Sequence, residues 1–356
     1  MNVHSVTASD RDAGAWFRPS GAVTGVGSLP HTDPARAIAF VARWAPEVPF
    51  WPQLRRRSAG EAMLPQTFGA ALAHLVPVRG EHAYSLRAGR ADRFAAALES
   101  DGGRLDPGNA AGFQPFVDAL AAGAFPGVRA AKGQAMGPVT LACSVLVDGV
   151  PLIEHAALRE LLADHVVRVA RWQAGMLRPH APAVIMVLDE AYLGGALRAH
   201  PGSAGVIADL LRSVVLRVRG PRVLVGIHCC DEIPFAVLDA VSPDLYSFDA
   251  WNGAGAMAGD PAARRFLAAG GLVAWGWIPT RDDLTGVDVA GLAARWDAAA
   301  ARLAAQEDSL NAARILASAL VTASCGLAGS SEATCERSFE LAAGVGRRFA
   351  EQAGSA

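Results

Sequence analysis

After a polar start to about residue 20, short apolar runs alternate with longer stretches whose apolar positions recur every three or four residues. Strand-sized runs separated by helix-sized amphipathic segments are the pattern of repeated βα units, in which each helix carries the chain back to the next parallel strand. Eight strand segments can be read: "GAVTGVG" (21–27), "VPFWPQL" (48–54), "VRAAKGQAMG" (128–137), "AVIMVLDE" (183–190), "RVLVGIHC" (222–229), "DLYSFDA" (244–250), "GLVAWGW" (271–277) and "ALVTASC" (319–325). They predict an α/β fold, a (β/α)8 TIM barrel over residues 21–356 as a single domain, preceded by an N-terminal extension over 1–20.

Segments of helical period fill the intervals, among them "DPARAIAFVARWA", "SAGVIADLLRSVVLRVR" and "SEATCERSFELAAGVGRRFA". Asp33 before Pro34 and Ser331 before Glu332 have the form of N-caps. The long interval 68–127, which includes the turn "DGGRLDPGN", reads as an insertion of extra helix and loop after the second strand. No Pro/Ser-rich linker sets it apart as a domain. A doubly wound open sheet is the alternative topology, but no G-x-G-x-x-G follows a strand.

Composition narrows the classes of function. The chain has 356 residues, 52% hydrophobic and 19% charged, and its formal charge of −2 arises from 32 basic and 34 acidic side chains intermixed along the sequence. With no basic stripe to neutralise phosphates, nucleic acid is not an expected partner. No apolar run reaches the roughly 18 to 20 residues that span a bilayer, and the opening lacks a basic region followed by an apolar one, so no membrane association and a cytoplasmic location are expected. The five cysteines, Cys143, Cys229, Cys230, Cys325 and Cys335, are odd in number and unevenly spaced, which predicts reduced thiols and leaves ligand or nucleophile roles open.

In such a barrel the chemistry sits at the C-terminal ends of the strands. Those ends hold Gly27 and Ser28, Gln53, Asp189, His228 with Cys230, Asp249, and Cys325, the uncommon polar and metal-capable residues of an Ala-rich chain. Zinc takes four ligands from Cys, His and Asp/Glu, and catalytic sites keep one position for substrate. His228, Cys230, Asp249 and Cys325 supply such a set from the fifth, sixth and eighth strands, and Cys229, between two ligands, is expected to face the helical layer. Against this, a buried cysteine commonly serves as a small core hydrophobe and a strand-end Asp as a helix N-cap; for Cys143 and Cys335 the core role is the expectation.

Together these residues resemble the catalytic barrel of cobalamin-independent methionine synthase, in the superfamily that also holds uroporphyrinogen decarboxylase. "TGVGSLPHT" is similar to that family's I-G-S-F-P strand end, "KGQAMGPVT" to its K-G-x-x-T-G-P-V-T turn, "VLDEAYL" to its I-D-E-P-A-L segment, "HCC" to its H-x-C zinc motif and "SCGLAGSS" to its D-C-G-L-K-T-R segment. The resemblance covers most of residues 21–345 and implies zinc as cofactor, held by His228, Cys230 and Cys325, with Asp249 where the family has a Glu ligand. It further implies that Val26, Gly27, Ser28 and Asp189 hold the amino-acid part of a thiol substrate, homocysteine or an analogue, Asp189 being the catalytic candidate. Gln53 stands where the family has a substrate-binding Glu, the family's histidine proton donor has no counterpart in "LVAWGWIPTRDD", and the chain is too short for a second barrel.

The implied activity is a methyltransferase of methionine biosynthesis, with the methyl group drawn from a folate or from a corrinoid protein. A uroporphyrinogen decarboxylase-like barrel without metal and a zinc-binding homologue without catalysis are the alternatives. The run Arg55, Arg56, Arg57, Ser58 follows the second strand and is either a solvated basic turn or a contact to anionic groups of the methyl donor.

Overall fold

The fold is described from a computed structural model over residues 16–78, 83–231, 235–280 and 283–354. Its strands are β1 (Ala22–Val23), β2 (Leu75–Pro77), β3 (Tyr84–Leu86), β4 (Ala131–Met136), β5 (Val145–Val147), β6 (Val150–Pro151), β7 (Val184–Asp189), β8 (Val223–Cys229), β9 (Leu245–Phe248), β10 (Leu272–Ile278) and β11 (Ala319–Ala323). Seven of them form one curled parallel sheet in the order β1-β11-β10-β9-β8-β7-β4. The sheet is a half-barrel, with helices such as 156–177, 204–218, 289–304 and 332–354 as the connecting layer.

The expected second strand, 48–54, is present only in part. Residues 47–53 lie between the two sheet edges: Lys132 N donates to Pro49 O and Trp51 N to Lys132 O on one side, while Gln53 N donates to Gly27 O and Leu29 N to Gln53 O on the other. These contacts leave only the isolated parallel bridges Phe50 with Lys132 and Ser28 with Gln53, so no continuous ladder closes the barrel. Pro49 and Pro52 explain the interruption, since each removes a backbone donor from a segment that would otherwise pair on both sides. The first segment is likewise shorter than expected: of 21–27 only Ala22–Val23 is strand.

Alternation separates two cores. Ile185 and Val187 of β7 join Leu224, Leu245, Ala274 and Leu320 in the cluster enclosed by the curled sheet, while Val184, Met186 and Leu188 face the helices. Strands buried on both faces carry almost unbroken apolar sequence, as parallel sheets require. Both proposed caps form: Asp33 accepts from Ala35 N at 2.8 Å and Ser331 Oγ from Thr334 N at 3.0 Å. The interval 68–127 holds more than helix and loop, because β2 and β3 pair antiparallel and β3 continues into a small sheet with β5 and β6.

Register at the bottom of the sheet is fixed by an ion pair whose carboxylate is buried. Arg219, just beyond helix 204–218, meets Asp244 through Nε to Oδ2 and Nη2 to Oδ1, both at 2.9 Å, and Asp244 Oδ2 also accepts from Val225 N at 2.8 Å. Removing the cation leaves a carboxylate buried without its counter-charge. Arg219→Met is therefore expected to lower stability by about 3 to 5 kcal/mol, read by denaturant unfolding; a loss below about 1 kcal/mol would place the pair among ordinary surface bridges.

Candidate metal centre

Parallel register brings the proposed ligands to one end of the sheet. Asp189 pairs with His228 across β7 and β8, and His228 pairs with Ser247 across β8 and β9, so all three side chains share one face. Cys230 follows His228 by two positions and Cys325 lies two residues beyond β11. One donor atom from each of His228, Cys230 and Cys325 falls within 4.8 Å of the others. His228 Nδ1 lies 2.9 Å from Ser247 Oγ, and among the described residues no partner reaches the buried Nε2.

Cys229 occupies the opposite side, as alternation predicts. It is fully buried in the helical core, and burial pushes its thiol up to about 12. Cys143 and Cys335, the expected core cysteines, are pushed up to about 12 by burial as well. Cys325 moves the other way, down to about 4, because a hydrogen bond with Cys230 and the neighbouring His228 outweigh burial.

Asp249 stands outside the three-residue group. It is the N-cap of helix 250–259, its Oδ1 accepting from Asn252 N at 3.2 Å and its Oδ2 from Asn252 Nδ2 at 2.7 Å. In the structure this strand-end Asp is engaged as a helix N-cap.

Three of the residues expected to hold substrate lie beside Cys325. Val26, Gly27 and Ser28 share a small pocket with Cys325, and Leu327 N donates to Ser28 O at 2.9 Å. A Cβ at Gly27 would sit 2.7 Å from Gln134 Nε2 and 2.9 Å from Gln53 Oε1, so glycine lets the chain pass close to both amides. Gln53 is buried and donates from Nε2 to Gln66 Oε1 at 2.8 Å. Asp189 is also buried, its Oδ1 without a partner among the described residues. Burial raises its carboxyl to about 6 against the opposing pull of His228 and Lys132.

Two charged residues escaped the sequence reading. Lys132 points into the half-barrel, donating to Val26 O at 2.6 Å and Gln134 Oε1 at 3.1 Å, and burial lowers its ammonium to about 8. The signal was a lysine inside the apolar strand "AAKGQAM". Glu190, next to Asp189 but turned to the helical side, accepts from Val139 N, Thr140 N and Thr140 Oγ1 at 2.9, 2.7 and 2.6 Å. It joins the "DE" of β7 to the "GPVT" turn after β4. The basic run also acquires a role: Arg56 Nε donates to Ala328 O at 2.9 Å, bracing the loop that follows Cys325.

No family model matches the chain, and no curated protein does. Among solved structures, a B12-independent methionine synthase from a Shewanella species, in complex with selenomethionine, is 16% identical with a TM-score of 0.47, covering 68% of this chain and 68% of that one. A putative vitamin-B12-independent methionine synthase from Listeria monocytogenes is 13% identical with a TM-score of 0.47, covering 92% of this chain and 96% of that one. Such distant likeness assigns no chemistry to the site. Among the described residues, no helix is long and apolar enough to cross a membrane.

Thiolate character decides alkylation. In metal-free protein at neutral pH, iodoacetamide is expected to modify Cys325 before Cys143, Cys229 and Cys335, with the order read by peptide mass mapping. First labelling at any of those three thiols would contradict the site's electrostatics.

Proposed function

We propose that this protein is a zinc-dependent S-methyltransferase that methylates a thiol, homocysteine or a close analogue, with methyl-folate or a methyl-corrinoid protein as donor. The observation that carries the reading is the convergence of His228, Cys230 and Cys325 with a buried, unpartnered His228 Nε2. A borderline nitrogen with two soft sulfurs is a donor set suited to zinc. Three protein donors, with Asp249 spent on its helix, match a catalytic centre that keeps its fourth position for substrate.

Bound zinc would supply thiol activation, since a free alkyl thiol with a pKa near ~8.5 is mostly protonated at neutral pH whereas a coordinated one is deprotonated. The remaining work belongs to the chain. Asp189, ionised, accepts from the substrate's ammonium, while Ser28 and the backbone of Val26 and Gly27 position its carboxylate end beside Cys325. Gln53 adds a neutral amide where a second carboxylate would strengthen hold on the ammonium, which favours a substrate with one charged donor engaged by Asp189. In the transfer, the substrate sulfur forms a bond to the methyl carbon as the bond from that carbon to the donor breaks, and the donor keeps the electron pair.

Elemental analysis is expected to find one zinc per chain, lost in Cys230→Ser and Cys325→Ser but retained in Cys229→Ala. Retention of full zinc by folded Cys230→Ser and Cys325→Ser proteins would refute the ligand assignment. X-ray absorption is expected to gain one sulfur neighbour around zinc when homocysteine is added. Asp189→Asn should keep the metal while weakening thiol binding by about 1.5 to 3 kcal/mol, the worth of one charged hydrogen bond. An unchanged sulfur count at saturating thiol, with no methyl transfer from either donor class, would leave a metal-binding protein without this catalysis.

A further inference from the structure

The space enclosed by the curled sheet is lined chiefly by aliphatic side chains, including Ile185, Val187, Leu245, Ala274 and Leu320. Ser247 interrupts that lining. Its residue is 6% exposed, and a hydroxyl at such depth costs free energy unless it is hydrogen-bonded. The bond it makes is to His228 Nδ1 at 2.9 Å, across the β8–β9 register.

The two ring nitrogens of a neutral imidazole cannot both carry lone pairs and protons at once: one is a donor and the other an acceptor. If Ser247 donated to Nδ1, the proton would reside on Nε2, and the nitrogen left without a partner would offer no lone pair. If Nδ1–H donates to Ser247 Oγ, the unpartnered Nε2 keeps its lone pair for a metal shared with Cys230 and Cys325. We infer that Ser247 is a positioning residue for the metal centre, accepting the Nδ1–H of His228 so that the ring is held in the tautomer and rotation that aim Nε2 at a metal between Cys230 and Cys325. The inference rests on the metal reading above and assigns Ser247 no contact with substrate.

Position 247 is well placed for this task. In a parallel pair the neighbouring strand supplies the side chain beside His228 on the same face, and the ladder fixes that neighbour along the strand direction. A loop residue would hold the ring less firmly. Ser247 shares its pocket with Thr24 and Thr322, whose buried hydroxyl oxygens lack partners among the described residues, so a few hydroxyls stand together among the aliphatic side chains of the lining.

The test compares wild-type protein, Ser247→Ala and Ser247→Thr, each loaded with zinc. Apparent zinc affinity is measured by chelator competition, the His228 Nδ1–H proton is followed by NMR, and thermal unfolding of the metal-free proteins controls for folding. Ser247→Ala is expected to lose about 10- to 100-fold in affinity, as removal of an outer-shell partner typically does, and its ring N–H signal should broaden through solvent exchange. Ser247→Thr, which keeps the hydroxyl, should restore both while metal-free unfolding stays unchanged. Wild-type zinc binding with equal affinity and an equally protected N–H in Ser247→Ala would overturn the role of Ser247 and leave the metal reading intact. Absence of zinc from wild-type protein would overturn the metal reading and this inference with it. Should the alanine variant unfold early, affinity in Ser247→Thr decides: wild-type binding supports the hydroxyl's role, and loss of binding in a folded threonine variant refutes it.

Discussion

The parallel ladder across β7, β8 and β9 is the constraint on which the site depends. Because side chains alternate along a strand and in-register neighbours share a face, the pairing of Asp189 with His228 and of His228 with Ser247 fixes where all three point. A slip of one residue on β8 would exchange His228 for Cys229 at the mouth and bury the imidazole among the helices. The bottom of the sheet guards against that slip: Asp244 accepts from Val225 N while held by Arg219, which ties the entrance of β9 to β8. Packing reinforces the same register, since Cys229 is accommodated in the helical core as a small apolar group.

A second layer of order comes from polar groups whose hydrogen-bond roles are mutually determined. Trp51 O can only accept, so Gln134 must turn its amide nitrogen toward it, which leaves Gln134 Oε1 for Lys132 Nζ. Asn109 O likewise fixes the amide of Gln66, and Gln66 Oε1 then obliges Gln53 to donate from Nε2. Gln53 Oε1 is left beside Gly27. In an interior of low dielectric such satisfied networks hold groups rigidly, and a half-satisfied one would be costly. Lys132 extends this order to the candidate substrate pocket through Val26 O, so the polar wall below the mouth also sets the course of the backbone at the mouth.

Much of this was legible in the sequence because two periodicities carry it. Strands β7, β8, β10 and β11 fall within a residue or two of the apolar runs that announced them, and the strand-end rule points to His228, Cys230 and Cys325, whose donor atoms lie within 4.8 Å of one another. The failures have local causes. The segment 48–54 has the right apolar content, but Pro49 and Pro52 cannot donate, so its pairing is reduced to bridges that composition alone does not foretell. The strands at 75–77 and 84–86 are only three residues long, too short for an alternation to register. Lys132 was given no role because a single polar residue in an apolar run has no periodic signature, and the contact that ties it to the mouth, to Val26 O, lies 106 residues away in sequence.

Asp249 shows how a local bond competes with a distant one. Its carboxylate lies at the right end of the right strand for ligation, yet the helix that starts at Ala250 leaves backbone N–H groups without intrahelical partners, and the nearest acceptor is Asp249 itself. Asn252 strengthens the local claim by adding a side-chain donor to its backbone one, so both carboxylate oxygens are engaged three residues away. For Asp249 to reach a metal, two hydrogen bonds and the helix start would have to be given up. The structure leaves three other donor groups together, the His228 imidazole and the Cys230 and Cys325 thiols, with one donor atom of each within 4.8 Å of the others. Asp189, unlike Asp249, has no helix start to serve: the β7–β8 register sets it beside His228 on the same face, and its Oδ1 has no partner among the described residues.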